Sequence, residues 1–490
     1  MAHITRGMYY SGLDEISEWK KEIALINKER MGFELEPRIL ERVIVFLYGL
    51  IGGERLWIPR VLSSIFWITG GIFLYLMTRA LCGVLASVVT LMFYLFLPFS
   101  VSASRSFQPD PMMMMLSIIS VYGIIRYFKT SSWITLMITA MVSSLAIIIK
   151  PYSIFFIYGA FASLGIQKDG LRFLIGRDSV AFFLISIIPG ASYYLSGILF
   201  GKGLIREHTQ VTFLPHLLIR PYFYKDWTAM IGRVTGWIAF LIGIVSLIVV
   251  KKGYQRSLLF GLWAGYFIFG LLFTYHIHTH DYYQLFLIPI VSLSLGGVGH
   301  SLMENYKRSS WLILVILFLM AFVGYPFYKQ GKDLKGANKY IAYLTGSNPY
   351  INSFFKEDYD RVIEMYKEIG EIVGHSKDTV FLTSDFGRSL TYHGELSGLP
   401  WPTSESLRER QEVNVPIPDK SEVFNTNYLT IRTHGRYIRY KPDYFIITDL
   451  KEFERQQDLM DFLNSNFPLI VAKEDFLIYD LRKMKGSTNG

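Results

Sequence analysis

Four short stretches of an otherwise apolar chain carry the groups that could do chemistry. In SASRSFQPDPMMMML (102–116), Arg105 and Asp110 stand between two long apolar runs. Ionisable groups at membrane depth are costly and tend to mark substrate or ion pathways. Asp110 also has a plainer reading, because Asp-Pro places a capping carboxylate just before a proline at the first position of a helix. The two readings are compatible, since a capped helix end beside a cavity fixes the carboxylate in place. Lys150, in LAIIIKPYSIFF (145–156), has apolar residues on both sides. Either it snorkels to the membrane interface or it holds a fixed ammonium toward a phosphate-bearing ligand. YHIHTHDYYQL (275–285) alternates His276, His278 and His280 before Asp281. Alternate residues of an extended segment share a face, so a divalent metal ion with Asp110, His278 and His280 as candidate ligands is one reading. The other is a polar cavity rim in which Tyr282 and Tyr283 offer ring faces and hydroxyls. The fourth stretch, 201–227, mixes Arg206 and other basic residues with aromatics. It fits an ordinary interfacial loop or a lid over an amphiphilic ligand with an anionic head.

The elements that must position these groups follow from composition and periodicity. Of 490 residues, 51% are hydrophobic and 16% aromatic, and the mean hydropathy is +0.30, which describes a polytopic α-helical membrane protein rather than a soluble globule. Crossing a bilayer takes roughly 20 apolar residues. Candidate spans run over 57–81, 84–104, 111–128, 132–149, 151–167, 179–200, 229–250, 257–275, 282–300 and 309–328. The segment PRILERVIVFLYGLIGG (37–53) is too short and charged for a span, and its pattern predicts an amphipathic helix on the membrane surface. Lys and Arg concentrate in alternate short loops, among them Arg79, Arg126, Lys168, Lys251, Lys252 and Arg256. That side is expected to be cytoplasmic. Asp110, Lys150, 201–228, 275–285 and everything beyond 329 then face outward. From about 335 the pattern changes to soluble α/β. Strands are expected at 378–385, 442–450 and 468–481 and amphipathic helices at 359–374 and 450–466, forming a small, partly parallel sheet.

The expected organisation is a first outer loop with an interfacial helix (1–56), a transmembrane domain (57–328) and an extracytoplasmic α/β domain (335–490). The plasma membrane is the expected location, and the first thirty residues show no signal peptide. The net charge of +9 has no basic stripe with interleaved aromatics, so it points to loop charges rather than nucleic acid. The one cysteine, Cys82, excludes disulfide frameworks and cysteine-based zinc sites.

The order of these pieces resembles the GT-C class of integral-membrane glycosyltransferases, which includes aminoarabinose transferases and protein O-mannosyltransferases. SRSFQPDPMMMMLSI is very like the class's second outer-loop motif. GGERLWIPRVLSSIF, with Arg60, LAIIIKPY and HDYYQLFLIPI resemble three further motifs in the right order. The resemblance implies transfer of a sugar from a polyprenyl-phosphate donor to a lipid, glycan or protein acceptor on the outer face, by an inverting hexosyl- or pentosyltransferase. It implies Asp110 as the second-loop acid and Glu36, in FELEPRIL, as a first-loop acid. Lys150 is then the donor-phosphate contact, with Arg105, Arg206, His280, Tyr282 and Tyr283 lining the substrate pocket. AHITRGMYY (2–10) resembles the pattern that follows the class's first span and its acid. A first span is therefore expected to be missing from this chain, and its activity to be impaired. A flippase for lipid-linked glycans would also need outer charges and aromatics, but should show repeats with broken helices in matching halves. A non-catalytic scaffold in glycan assembly is the remaining expectation.

Overall fold

The computed structural model describes residues 1–31, 35–200, 205, 209, 212–305, 359–404, 406, 429–433 and 436–483. Two compact units emerge. One joins Met1–Leu35, Leu40–Arg55 and Glu357–Gly490; the other holds Glu36–Ile39 and Leu56–Lys356.

The second unit is a bundle of apolar helices: α4 (Trp57–Cys82), α5 (Val84–Phe96), α6 (Pro98–Ala103), α7 (Asp110–Thr130), α8 (Trp133–Ile149), α9 (Ser153–Asp169), α10 (Arg177–Phe200), α11 (Pro221–Val234), α12 (Trp237–Val249), α13 (Tyr254–Leu272), α14 (Thr274–Thr279) and α15 (Leu287–Asn305). Among the described residues four helices are long and apolar enough to cross a bilayer, or five if α11 and α12, bent by 99°, make one span. The remaining expected spans are interrupted or short, except 257–275, where α13 runs unbroken for 19 residues but opens on the polar Gln255 and Arg256. The 84–104 stretch breaks where extended Leu97 precedes Pro98, because proline lacks the N–H and clashes with a helical predecessor. The 229–250 stretch breaks at Gly236, whose φ is +76°. α8 and α9 have 17 residues each. The tenth expected span, 309–328, lies outside the described residues. The core runs through all these helices, with Trp67, Tyr94, Phe156, Phe182, Trp263 and Phe269 fully buried. Helices α9 and α13 cross closely because Gly159 and Gly261 face each other. A Cβ on Gly261 would stand 2.0 Å from the Gly159 carbonyl oxygen.

In the first unit, strands β1 (Thr379–Leu382), β2 (Gly398–Pro400), β5 (Tyr444–Ile447), β6 (Leu469–Ala472) and β7 (Leu477–Asp480) form a sheet ordered β2-β1-β5-β7-β6; β3 (Leu429–Thr433) and β4 (Arg436–Tyr440) pair separately. β1 is parallel to β2 and β5, whereas β7 is antiparallel to β5 and β6. Alternate side chains enter opposite cores. Val380, Leu382, Phe445 and Ile447 meet Phe453, Leu459 and Leu463 of helices α18 (Leu450–Arg455) and α19 (Gln457–Asn466). Phe381 and Ile446 meet Ile369 of α16 (Tyr359–Ile372) and Leu390 of α17 (Arg388–His393).

The expected strand over 468–481 is a hairpin, β6 and β7, closed where the Lys473 N–H donates to Phe476 at 2.9 Å. The charged Lys473-Glu474-Asp475 run turns instead of pairing. The expected helix over 450–466 is divided at Gln456, whose buried amide accepts from Trp401 Nε1 at 2.9 Å and donates to Glu452 at 2.8 Å. Tertiary hydrogen bonds there replace a continuous helical ladder.

The N-terminal helices α1 (Ala2–Ser11), α2 (Glu18–Met31) and most of α3 (Ile39–Ile51) belong to this same unit. Arg6 Nε pairs with Glu54 at 2.9 Å, its Nη1 donates to the Tyr392 carbonyl at 2.6 Å, and its guanidinium stacks 3.5 Å from the Tyr392 ring centroid. Tyr392 donates its hydroxyl to Glu54 in turn. The Asn27 amide donates to the Leu396 carbonyl at 2.9 Å, and Arg30 reaches the Lys377 carbonyl at 2.6 Å. His3 Nε2 lies 3.0 Å from the Arg388 carbonyl. The segment read as an outer loop with a surface helix thus shares a polar network with the α/β sheet.

Candidate active site

Asp110 opens α7, with Pro111 next to it inside the first turn. The N-cap position falls on Pro109, so Asp110 is the first helical residue rather than the cap; its side chain is buried and turned toward another element. The Tyr152 hydroxyl, at the N-cap of α9, donates to it at 3.0 Å. Lys150 Nζ approaches it at 4.0 Å and pairs with Glu36 at 2.5 Å. An ammonium therefore stands between two carboxylates from segments 114 and 40 residues away in sequence. The Lys-Pro break between α8 and α9 makes this possible. Pro151 ends α8, Lys150 adopts an extended backbone as its C-cap, and the side chain leaves the helix surface at the turn. Lys150 and Asp110 side chains are 12% and 8% exposed, Glu36 30%. Glu36 is thus the open member of the pair.

Aromatic rings wall the cluster. Tyr152 stacks on Phe269 at 5.2 Å and meets Tyr283 at 5.2 Å and Phe286 at 5.9 Å. His276 stacks flat on Tyr283 at 4.7 Å, and the His280 ring lies 5.2 Å from Tyr282 and 6.1 Å from Tyr283. Tyr283 is buried and Tyr282 is 40% exposed, so successive tyrosines point to opposite sides of the turn. Asp281 pairs with Arg233 of α11 at 3.5 Å.

Asp110, Glu36 and Lys150 come together, and Tyr283 adjoins them through Tyr152. His280 and Tyr282 lie on the far side of Tyr283. Arg105 is exposed in the turn after α6 and makes no ion pair with Asp110. Arg206 lies outside the described residues. Of the proposed metal ligands, His278 is buried with Nδ1 2.7 Å from the Thr274 carbonyl, an arrangement inside its own short helix. Among the described residues no three His, Cys, Asp or Glu side chains gather in a way that could hold a metal ion. The residue composition missed is Tyr152. Its place directly after Lys150-Pro151 was the available signal, because a residue following a helix break shares the position of the break.

Residues 41–191 match the sequence profile of the dolichyl-phosphate-mannose-protein mannosyltransferase family. No curated protein matches the chain. Among solved structures, ArnT from Cupriavidus metallidurans bound to undecaprenyl phosphate is similar over 98% of this chain and 92% of its own, with a TM-score of 0.54 and 12% identity. The apo state of the same protein matches with the same values. Residues 41–191 are thus similar to that mannosyltransferase family, and the chain shares the fold of the membrane protein ArnT over nearly its whole length.

Proposed function

We propose that the chain transfers a sugar from a polyprenyl-phosphate-linked donor to a lipid, glycan or protein acceptor, in a single displacement on the extracytoplasmic face of the plasma membrane. The observation that carries this reading is the buried ammonium of Lys150 held between Glu36 and Asp110. Sugar transfer from a phosphate needs positive charge where the departing phosphate gathers electrons and a carboxylate where the acceptor hydroxyl loses its proton. The undecaprenyl phosphate bound to the similar ArnT supports a donor of this kind.

In the proposed step the acceptor oxygen forms a bond to the anomeric carbon while the bond from that carbon to the phosphate oxygen breaks. The electron pair leaves with the polyprenyl phosphate, which Lys150 neutralises. The acceptor proton passes to Glu36, the carboxylate with open surface. Asp110, fixed by the Tyr152 hydroxyl, holds Lys150 toward the phosphate. Attack opposite the leaving phosphate inverts the anomeric centre. Tyr283 and the rings around it supply a wall for the sugar and the start of the lipid. The histidines and Asp110 do not form a ligand set, so no step runs through a metal.

The test is release and transfer of labelled sugar from a polyprenyl-phosphate donor by the reconstituted full chain, with Glu36→Gln and Asp110→Asn alongside. Loss in both variants is expected; wild-type turnover in both would overturn the assignment.

A further inference from the structure

A second site of different character lies along the same helices. A cavity of about 970 Å³ runs between α9, α10 and α13, at the upper end of the roughly 300–1,000 Å³ typical of ligand pockets. Its walls are apolar over most of their length: Phe155 and Tyr158 of α9, Phe183 and Ile187 of α10, Phe260 and Ile268 of α13. The floor is the glycine crossing, where any Cβ on Gly159, Gly261 or Gly265 would strike backbone oxygen within 2.3 Å. Missing side chains there bring α9 and α13 together and leave a trough above them. At one end the lining turns polar and basic, with Gln167, Lys252, Arg256 and Ser257. Among the described residues neither Lys252 nor Arg256 has an ion-pair partner.

Position along the helices decides what fits. The trough follows α13 from Arg256 to Ile268, twelve residues or roughly 18 Å of helix. One leaflet is half of a hydrocarbon core roughly 30 Å thick, so the trough matches the depth of one leaflet with its cations at the rim. The basic rim lies at the end of α9 opposite Lys150, since α9 begins at Ser153 and Gln167 is near its close.

We infer that this groove binds one anionic phospholipid, its phosphate head on Lys252 and Arg256 and an acyl chain along the trough. Basic pockets between membrane helices recognise anionic head groups in this way. The inference rests on the proposed reaction only in assigning the sugar carrier's phosphate to the Lys150 end. Lipid binding is read without activity, so each can fail alone.

The experiment is native mass spectrometry of the detergent-solubilised full chain titrated separately with phosphatidylglycerol, phosphatidylcholine and a polyprenyl phosphate. Phosphatidylglycerol is expected to bind roughly tenfold or more tighter than phosphatidylcholine, since two cations near a head group give at least that preference. A Lys252→Gln/Arg256→Gln double variant should lose the preference, and Ala264→Trp, which fills the trough, should lose retention of both phospholipids. Both variants keep the glycine crossing, and a wild-type elution volume checks that they fold. Equal binding of the two phospholipids, or a preference unchanged in the double variant, would overturn the inference. So would displacement of phosphatidylglycerol by the polyprenyl phosphate in the wild type together with loss of polyprenyl-phosphate binding in Ala264→Trp, which would make the trough the carrier's tail site.

Discussion

At the residue scale, the ammonium of Lys150 and its two carboxylates form a unit whose members are not equivalent. Removing the charge with Lys150→Met leaves Glu36 and Asp110 facing each other without a cation. Breaking a buried pair from one side costs about 3–5 kcal/mol, so this variant should unfold at visibly lower temperature in a thermal-shift assay as well as lose transfer. Tyr152→Phe is a finer probe, because it removes one hydrogen bond to Asp110 and keeps the ring stacked on Phe269. Hydrogen bonds to charged groups are worth about 1.5–3 kcal/mol. A fall in kcat of roughly ten- to a hundredfold at unchanged donor KM is expected if Tyr152 positions Asp110; a change confined to KM would place Tyr152 in binding alone. Glu36→Gln, removing the proposed proton acceptor, should lower kcat by roughly 10²–10⁴-fold and flatten the acid limb of the pH–rate profile.

At the element scale, the crossing of α9 and α13 depends on glycine. Gly261→Ala would place a methyl against the Gly159 carbonyl oxygen and the Ser163 hydroxyl. Backbone cannot step aside as a flexible side chain can, so the helices must separate. Overpacking of this kind costs about 1–3 kcal/mol. Because α9 begins two residues after Pro151, separation also shifts Tyr152 and Lys150. Thermal unfolding of Gly261→Ala should therefore be lower than wild type and transfer should fall with it, whereas Ala264→Ser, one turn along the helix and lining the trough, should leave both unchanged.

At the scale of the molecule, the unit that joins the N-terminal helices to the α/β sheet hangs on polar groups that respond to pH. Burial drives the His3 imidazole down to about 3 from its ordinary 6.5, so the folded unit holds it neutral. Between those values the unfolded chain binds a proton that the folded unit refuses. Stability is therefore fully present above pH 6.5 and is lost as pH falls toward 3, by about 1.4 kcal/mol per pH unit at most. Hydrogen exchange of the full chain should show 388–396 losing protection between pH 6.5 and 4.5, and His3→Gln should flatten that dependence. Acid-insensitive protection in the wild type would show that His3 is not the titrating group. Arg6→Met, which strands Glu54 beside Tyr392, should loosen the same segment at neutral pH.

Much of this was legible in the chain itself. Apolar runs marked the membrane bundle, because a bilayer core leaves helices few alternatives, and the Pro-Asp-Pro and Lys-Pro breaks marked where charged groups leave them. Short continuous apolar runs inside 378–385 and 442–450 announced strands buried on both faces, with the parallel pairing of β1 and β5 as the outcome. Sequence could not show that Asp110 is the first helical residue rather than the cap, that Tyr152 donates to it, or that Lys150 is shared with Glu36. Those facts depend on three segments meeting in space, and local pattern holds no record of a distant partner. The same limit hid the fusion of α1 and α2 with the sheet through Arg6, Asn27 and His3, and the trough beside the glycine crossing. A glycine read alone signals only freedom; where another helix fills or leaves the space beside it is decided by packing.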